Sequence, residues 1–232
     1  MSKMGFSKKI SICLYSFLFL VIAHKINAGN VRDNIYLGLG ITDSISHFNL
    51  TTTATASNIV IKRKKNHNDI LGNVFLGYGY TTCQSFYIAA ELGTNFPKRS
   101  GKIHRPGASL TSFTFVNRIS IQDYLTGDIL LGYRPIERLL LYFRGGVSYS
   151  RLELHQFENT DANTPTFDAD KKAVSGRVGG GINYGITRHL GLGLDYIFTR
   201  YQNLHPFWPD FNLQFKEKTY ANNICISGIY SF

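Results

Sequence analysis

Residues 220–232 read Tyr-Ala-Asn-Asn-Ile-Cys-Ile-Ser-Gly-Ile-Tyr-Ser-Phe. Counting back from Phe232, the even positions hold Tyr230, Gly228, Ile226, Ile224 and Tyr220. The odd positions hold Ser231, Ser227, Cys225, Asn223 and Ala221, with Ile229 as the one large exception. This period of two predicts a strand with one apolar and one small or polar face. An apolar face running to an aromatic last residue suits a strand with lipid on one side and water on the other.

The other end of the chain gives the route out of the cytoplasm. Lys3, Lys8 and Lys9 precede an apolar run from Ile10 to Ala23, and Ile26-Asn27-Ala28 offers a small residue for cleavage. That is the layout of a secretory signal peptide. The run is interrupted by Tyr15 and Ser16 and ends at His24 and Lys25, short of the roughly 18–20 apolar residues of a spanning helix. Residues 1–28 are therefore read as a signal peptide and 29–232 as one domain. Removing residues 1–28 takes away four lysines and no acid, leaving 21 basic and 15 acidic residues. No later stretch of the sequence is apolar enough for a spanning helix, so a membrane location requires strands. Cys83 and Cys225 are expected to be unpaired, one at a turn and the other midway up a strand.

Between the ends, short turn-like connections at 81–85, 134–138 and 186–190 alternate with long polar ones near 47–68, 94–111, 154–172 and 202–218. Seven connections join eight strands, with both termini on the short-turn side. Each strand alternates. Leu37, Leu39 and Ile41 stand against Gly38, Gly40 and Thr42; Phe86, Ile88 and Leu92 against Tyr87, Ala89 and Glu91. The fourth run sets Ile119, Ile121, Leu125, Ile129 and Leu131 against Arg118, Ser120, Gln122, Thr126 and Asp128. A soluble barrel turns its large apolar side chains inward. Here the opposite face carries Glu91, Asp128, Arg144, Arg177 and Asp195. Those charges suit a narrow polar lumen, so the apolar face points to lipid, with Tyr78, Tyr80, Tyr133, Tyr184 and Tyr230 forming an aromatic girdle at the short-turn end. The expected fold is all-β: an eight-stranded antiparallel up-and-down transmembrane β-barrel with four long external loops and three short periplasmic turns.

The segments Ala90-Glu-Leu-Gly93, Gly127-Asp-Ile-Leu-Leu-Gly-Tyr133, Arg144-Gly-Gly-Val-Ser-Tyr149, Gly191-Leu-Gly-Leu-Asp-Tyr196 and Tyr230-Ser-Phe232, in that order and spacing, resemble the OmpA/OmpX-like family of eight-stranded outer-membrane barrels. The resemblance covers essentially all of 29–232 and extends to the barrel domain only, with no peptidoglycan-binding domain. It implies a place in the outer membrane of a Gram-negative bacterium, contact with outer-membrane lipid and lipopolysaccharide, and insertion by the barrel-assembly machinery. Tyr230 and Phe232 resemble the terminal signal which that machinery reads.

Candidate site residues fall into two groups. Counted from the turn centres, Glu91, Asp128, Arg144 and Asp195 lie at similar height and Arg177 slightly higher, with Asp128 and Arg144 directly opposed. They are read as an ionic plug of structural purpose; the rival reading is a narrow porin or small-solute channel. The second group is external: Lys62, Arg63, Lys64 and Lys65 on the first loop, Lys98, Arg99, Lys102 and Arg105 on the second, and Trp208 in His205-Pro-Phe-Trp-Pro-Asp-Phe211. These basic and aromatic residues are binding candidates for an adhesin-type role toward a host-surface or acidic glycan ligand; nucleic acid is excluded by export. A lipid A-modifying enzyme is a third possibility, but the sequence has no Gly-x-Ser-x-Gly and no His-Glu-x-x-His. The one pairing near a strand end is His155 with Ser148 or Ser150. The chain is read as a non-enzyme with no cofactor and no metal. Deleting Phe232 is expected to lower assembly, measured as the amount of barrel reaching the cell surface.

Overall fold

The computed structural model describes residues 31–54, 59–105, 115–158, 165–208 and 213–232. The expected signal peptide, residues 1–28, lies outside the described residues. Among the described residues ten strands occur in chain order: β1 (Asn34–Ala54), β2 (Ile59–Thr81), β3 (Phe86–Phe96), β4 (Arg99–Arg105), β5 (Phe115–Ile136), β6 (Leu139–Glu158), β7 (Pro165–Gly185), β8 (Leu190–Arg200), β9 (Phe207–Trp208) and β10 (Leu213–Ser231). All neighbours pair antiparallel, and β1 pairs with both β2 and β10, which closes the sheet. Eight staves make the wall. β3 and β4 are successive parts of the third, separated at Pro97 and Lys98, where proline supplies no N–H to the ladder. β9 is a short addition to the top of β10.

Closure involves the last residue of the chain. Ile41 faces Ile226 and Leu37 faces Tyr230, and the Phe232 amide donates to the Ile35 carbonyl at 3.0 Å. At the short-turn end, Ser85 takes a positive φ of 66°. The Thr187 hydroxyl accepts from the Leu190 amide at 3.0 Å. The apolar band is exposed all round the wall, including Ile35, Leu39, Ile41, Leu76, Ile88, Leu92, Ile129, Leu131, Phe143, Val178 and Ile226. Tyr78, Tyr80, Phe86, Tyr133, Tyr230 and Phe232 border it below. Tyr124 and Tyr149 form a pair 6.1 Å apart at its upper edge, as do Phe198 and Tyr220 at 5.9 Å. Tyr184, expected in the lower girdle, is buried instead.

Above that band the wall continues where long loops were expected. β1 and β2 run on as a hairpin with only residues 55–58 between them, so Lys62–Lys65 are strand residues. The alternation there has the opposite sign. Phe48, Leu50, Ile119, Ile121, Leu152, Leu154, Leu204 and Phe215 point inward and pack as a buried cap. Ile119 and Ile121 were expected to face lipid. An extra residue at Tyr124, between the pairs Asp123–Ser150 and Leu125–Tyr149, turns them inward.

Within this cap lies one carboxyl group. Glu217 pairs with Leu50 in the sheet and forms a bridge with Leu204, its Oε1 accepts from the Thr219 hydroxyl at 2.7 Å, and it is 1 % exposed. Burial pushes its pKa up to about 7. A raised carboxyl is neutral in the folded state, so its stabilisation is present below the ordinary glutamate range and is lost as pH rises toward 7. We predict that stability of the purified barrel falls by about 3 kcal/mol between pH 4.5 and 7.5 from this group, and that Glu217→Gln removes that portion in thermal unfolding scans.

Candidate functional site

The strand period brings the inward charges to one level. Glu91 of β3 faces Asp128 of β5, Asp128 faces Gly146 of β6, and Gly146 faces Arg177 of β7. Two carboxylates side by side repel unless cations bridge them. Arg144 does so: its guanidinium bonds Glu91, lies 3.5 Å from Asp128 and reaches Asp195 of β8 at 3.3 Å. Arg177 contacts the other oxygen of Asp128 at 3.1 Å. Sequence counting put Asp128 directly opposite Arg144. The hairpin turns at Glu137 and Arg138, between the paired Ile136 and Leu139, rather than at residue 136, so Arg144 faces Leu130 and meets Asp128 on the diagonal.

Glycine at two positions makes this contact possible. A Cβ on Gly146 would stand 2.3 Å from an Asp128 carboxylate oxygen, and one on Gly181 would stand 2.7 Å from Asp195 and 2.5 Å from the Tyr142 hydroxyl. With hydrogen there instead, Tyr142 donates to Asp195 at 2.5 Å, and Tyr36 donates to Glu91 at 2.9 Å.

The network has a sixth member that the strand pattern did not disclose. Arg32 precedes β1 and has a φ of 72°, a conformation that costs a non-glycine residue of order 1 kcal/mol or more. It is fully buried, 3.4 Å from Glu91 and 3.9 Å from Asp195. The guanidinium also lies over the Tyr142 ring at 4.8 Å and the Phe75 ring at 5.4 Å. Its amide donates to the Ser231 hydroxyl, and its carbonyl accepts from Tyr87. Three arginines thus meet three carboxylates. The signal in the sequence was the imbalance: three inward acids against two inward arginines call for one more cation.

A second buried cluster lies above the first. Arg99 was expected on an external loop, but its side chain is 2 % exposed, bonded to Tyr201 and paired with Asp123 at 2.8 Å. Asp123 also accepts from Ser150 at 2.7 Å and Ser148 at 3.1 Å. Those serines are therefore held in the lumen. His155 lies 3.0 Å from Asp168 and 3.6 Å from Glu153. The His155–serine pairing considered from the sequence is not what the structure assembles.

Of the remaining external candidates, Lys62, Lys64 and Lys65 are exposed and Arg63 is half-buried, all on β2. Lys98 pairs with Glu153 at 3.0 Å, and Lys102 is exposed on β4. Arg105 and Trp208 end β4 and β9, with side chains outside the described set. Tyr230 and Phe232 are exposed on the lower rim with rings 5.1 Å apart. Cys83 and Cys225 are both free thiols.

The family description "Outer membrane protein beta-barrel domain" matches residues 16–223. The fold is similar to that of the outer membrane protease OmpT from Escherichia coli, with TM-score 0.54 at 10% identity over 87% of this chain and 97% of that one. It is also similar to Neisserial surface protein A, with TM-score 0.44 at 10% identity over 85% and 97%. For Ail, the attachment invasion locus protein of Yersinia pestis, the values are 0.39, 9%, 86% and 99%. At such identities the likeness is one of fold. No curated protein matches at the level of sequence.

Arg144 is the member with the most carboxylate contacts, so Arg144→Met is expected to cost about 3–5 kcal/mol in urea unfolding from detergent. Arg32→Met should be damaging for the same reason, and pairing it with Glu91→Gln should recover part of the loss, because the second change removes the carboxylate left without its partner.

Proposed function

The chain belongs to the outer membrane β-barrel protein family, and on that basis we propose a closed-lumen surface protein whose role is structural or adhesive and is exercised from the extracellular hairpins. On this reading residues 1–28 are a cleaved signal peptide and the barrel-assembly machinery receives the strand ending in Phe232. The observation that carries the reading is how little space the interior leaves. A lumen cavity bounded by Thr42, Asn73, Phe75, Arg144, Arg177 and Asp195 has a volume of about 10 Å³, space for about one water molecule. Below it are buried Val31, Tyr36, Tyr87, Leu130, Leu140 and Ile229; above it are the Arg99–Asp123 cluster and the apolar cap. A solute path would have to break ion pairs and open an apolar layer, which weighs against the narrow-porin alternative.

What remains available for recognition is the extended wall and its hairpin ends. The strands carry the chain well beyond the apolar band, so residues 55–58, 106–114, 159–164 and 209–212 join strand ends on the far side from the short turns. Lys102 and the ends of β4 and β9 belong to this side and remain the binding candidates for a host-surface or acidic glycan ligand. Reconstituted barrel is expected to give no steady conductance in planar bilayers. Replacing the four hairpin ends with short Gly-Ser turns, together with Lys102→Gln, Arg105→Gln and Trp208→Ala, should abolish binding to cells and glycans while heat-modifiable gel migration persists. A large steady conductance would overturn the closed-lumen reading, and unchanged cell binding would overturn the role of the hairpins.

A further inference from the structure

The register across β2, β1, β10 and β8 aligns the outward cations in rows. In the lowest row, Asn66, His47, Tyr220 and Arg200 stand side by side. The row above holds Lys64, Asn49 and Lys218; the next holds Lys62, Thr51 and Lys216. All four lysines and Arg200 are exposed. Strand spacing puts the two lysines of each row about 10 Å apart, and the rows about 7 Å apart along the strands. Among the described residues these three rows contain no acid, and no ion pair involves any of the five cations. Glu217, next to both Lys216 and Lys218, points inward, and Asp69 points inward against His67.

Elsewhere the wall at this height differs. Around β5, β6 and β7, acids stand among the cations and pair with several of them: Lys98 with Glu153, Arg151 with both Glu153 and Asp170, and His155 with Asp168, while Lys102, Lys171 and Lys172 are exposed. One side of the extracellular wall thus mixes acids with its cations, and the other presents five cations with no acid among them in the described residues.

The position of this face indicates its partner. Its lowest row coincides with the upper aromatic edge of the apolar band, where His47 stacks on Tyr220 at 4.5 Å and is tied to Asn66 at 2.8 Å and Asn222 at 3.2 Å. Allowing for strand tilt, the lysine rows stand about 5 and 10 Å above that edge. A bilayer's polar layer occupies roughly 5–8 Å on each side of its hydrocarbon core. The side chains also point sideways from the wall rather than up from the hairpin ends, and a lysine can bend its ammonium group down toward the interface.

We propose that the face formed by Lys62, Lys64, Lys216, Lys218 and Arg200 is a lateral binding site for the phosphorylated headgroup of an outer-leaflet glycolipid. The lysines pair with phosphate oxygens, while acyl chains of the same lipid lie on the apolar band against Leu39, Ile41 and Ile226, below the outward Asp43 that separates Ile70 from Ile224. The site holds the barrel at a fixed depth and keeps lipid on one side of it, leaving the hairpin ends free.

The test uses the folded barrel in mild detergent and native mass spectrometry, with a bis-phosphorylated acylated disaccharide lipid, its dephosphorylated form and a soluble sulfated disaccharide as probes. Each lysine at an anionic lipid surface is worth about a fivefold change in affinity. Lys62→Gln/Lys64→Gln/Lys216→Gln/Lys218→Gln is therefore expected to bind the phosphorylated lipid at least a hundredfold more weakly. The corresponding four-arginine variant should retain binding, and Lys98→Gln/Arg151→Gln, which removes cations already paired with acids on the other side, should stay within about threefold. Gel mobility before and after heating verifies folding of each variant. Equal lipid binding by the four-glutamine variant overturns the proposal. So does a wild-type barrel that holds the dephosphorylated lipid as well as the phosphorylated one. Tighter binding of the soluble sulfated sugar than of the phosphorylated lipid overturns it as well, since the partner is then a free polyanion.

Discussion

The meeting of three arginines and three carboxylates inside the barrel is the constraint on which the rest of the structure depends. A wall of eight staves encloses too narrow a space for a stable water column, so inward side chains must fill it. Its outer face is already apolar. If the inner face were apolar too, each strand would be a continuous hydrophobic run, and a long strand such as β5 would approach the composition of a membrane-spanning helix. Polar residues inside avoid that, but at low dielectric each charge needs a partner. The network meets the requirement by drawing one charge from each of β3, β5, β6, β7 and β8, with the sixth from the turn before β1. Each ion pair is therefore also a tie across the barrel.

Arg32 shows how that requirement reaches beyond the strands. Without it, Glu91, Asp128 and Asp195 would outnumber Arg144 and Arg177 in a buried layer. Its positive φ is the local cost of turning a side chain up into the barrel from below the first strand. The turn is held at the seam, because Ser231 of the last strand accepts the Arg32 amide and Tyr87 of β3 donates to its carbonyl. The closing strand and the charge balance are linked through this one residue.

Strand number, the direction of the apolar face and the five strand-borne charges were legible because each follows from a period of two. Three features were not. Arg32 lies outside any alternating segment, so only charge balance pointed to it. Arg99 sits in the run Lys98–Arg105, whose composition is that of a solvated loop, yet Asp123 and Tyr201 draw it inside. The wall above the apolar band was read as loop because its outward residues are Asn, Thr and Lys, which resemble loop composition. The inward partners Phe48, Leu50, Leu152 and Leu154 alternate with them, but with the sign opposite to that of the membrane band.

That change of sign occurs where the surroundings change from lipid to water, and the chain accomplishes it in two ways. In β1 the geometry is continuous and the sequence changes phase: Ile35, Leu37, Leu39 and Ile41 are odd and outward, whereas Phe48 and Leu50 are even and inward. In β5 the sequence keeps its phase and the geometry changes. Ile119, Ile121, Leu125, Ile129 and Leu131 are all odd, and the extra residue at Tyr124 turns the first two inward while the rest stay in lipid. A one-residue bulge is equivalent to a one-residue slip of the hydrophobic pattern, so either route gives the same wall. Tyr124 and the His47–Tyr220 stack mark the same boundary on opposite sides of the barrel. Above that boundary an outward side chain no longer has to be apolar, and it is there that β2 and β10 place their lysines.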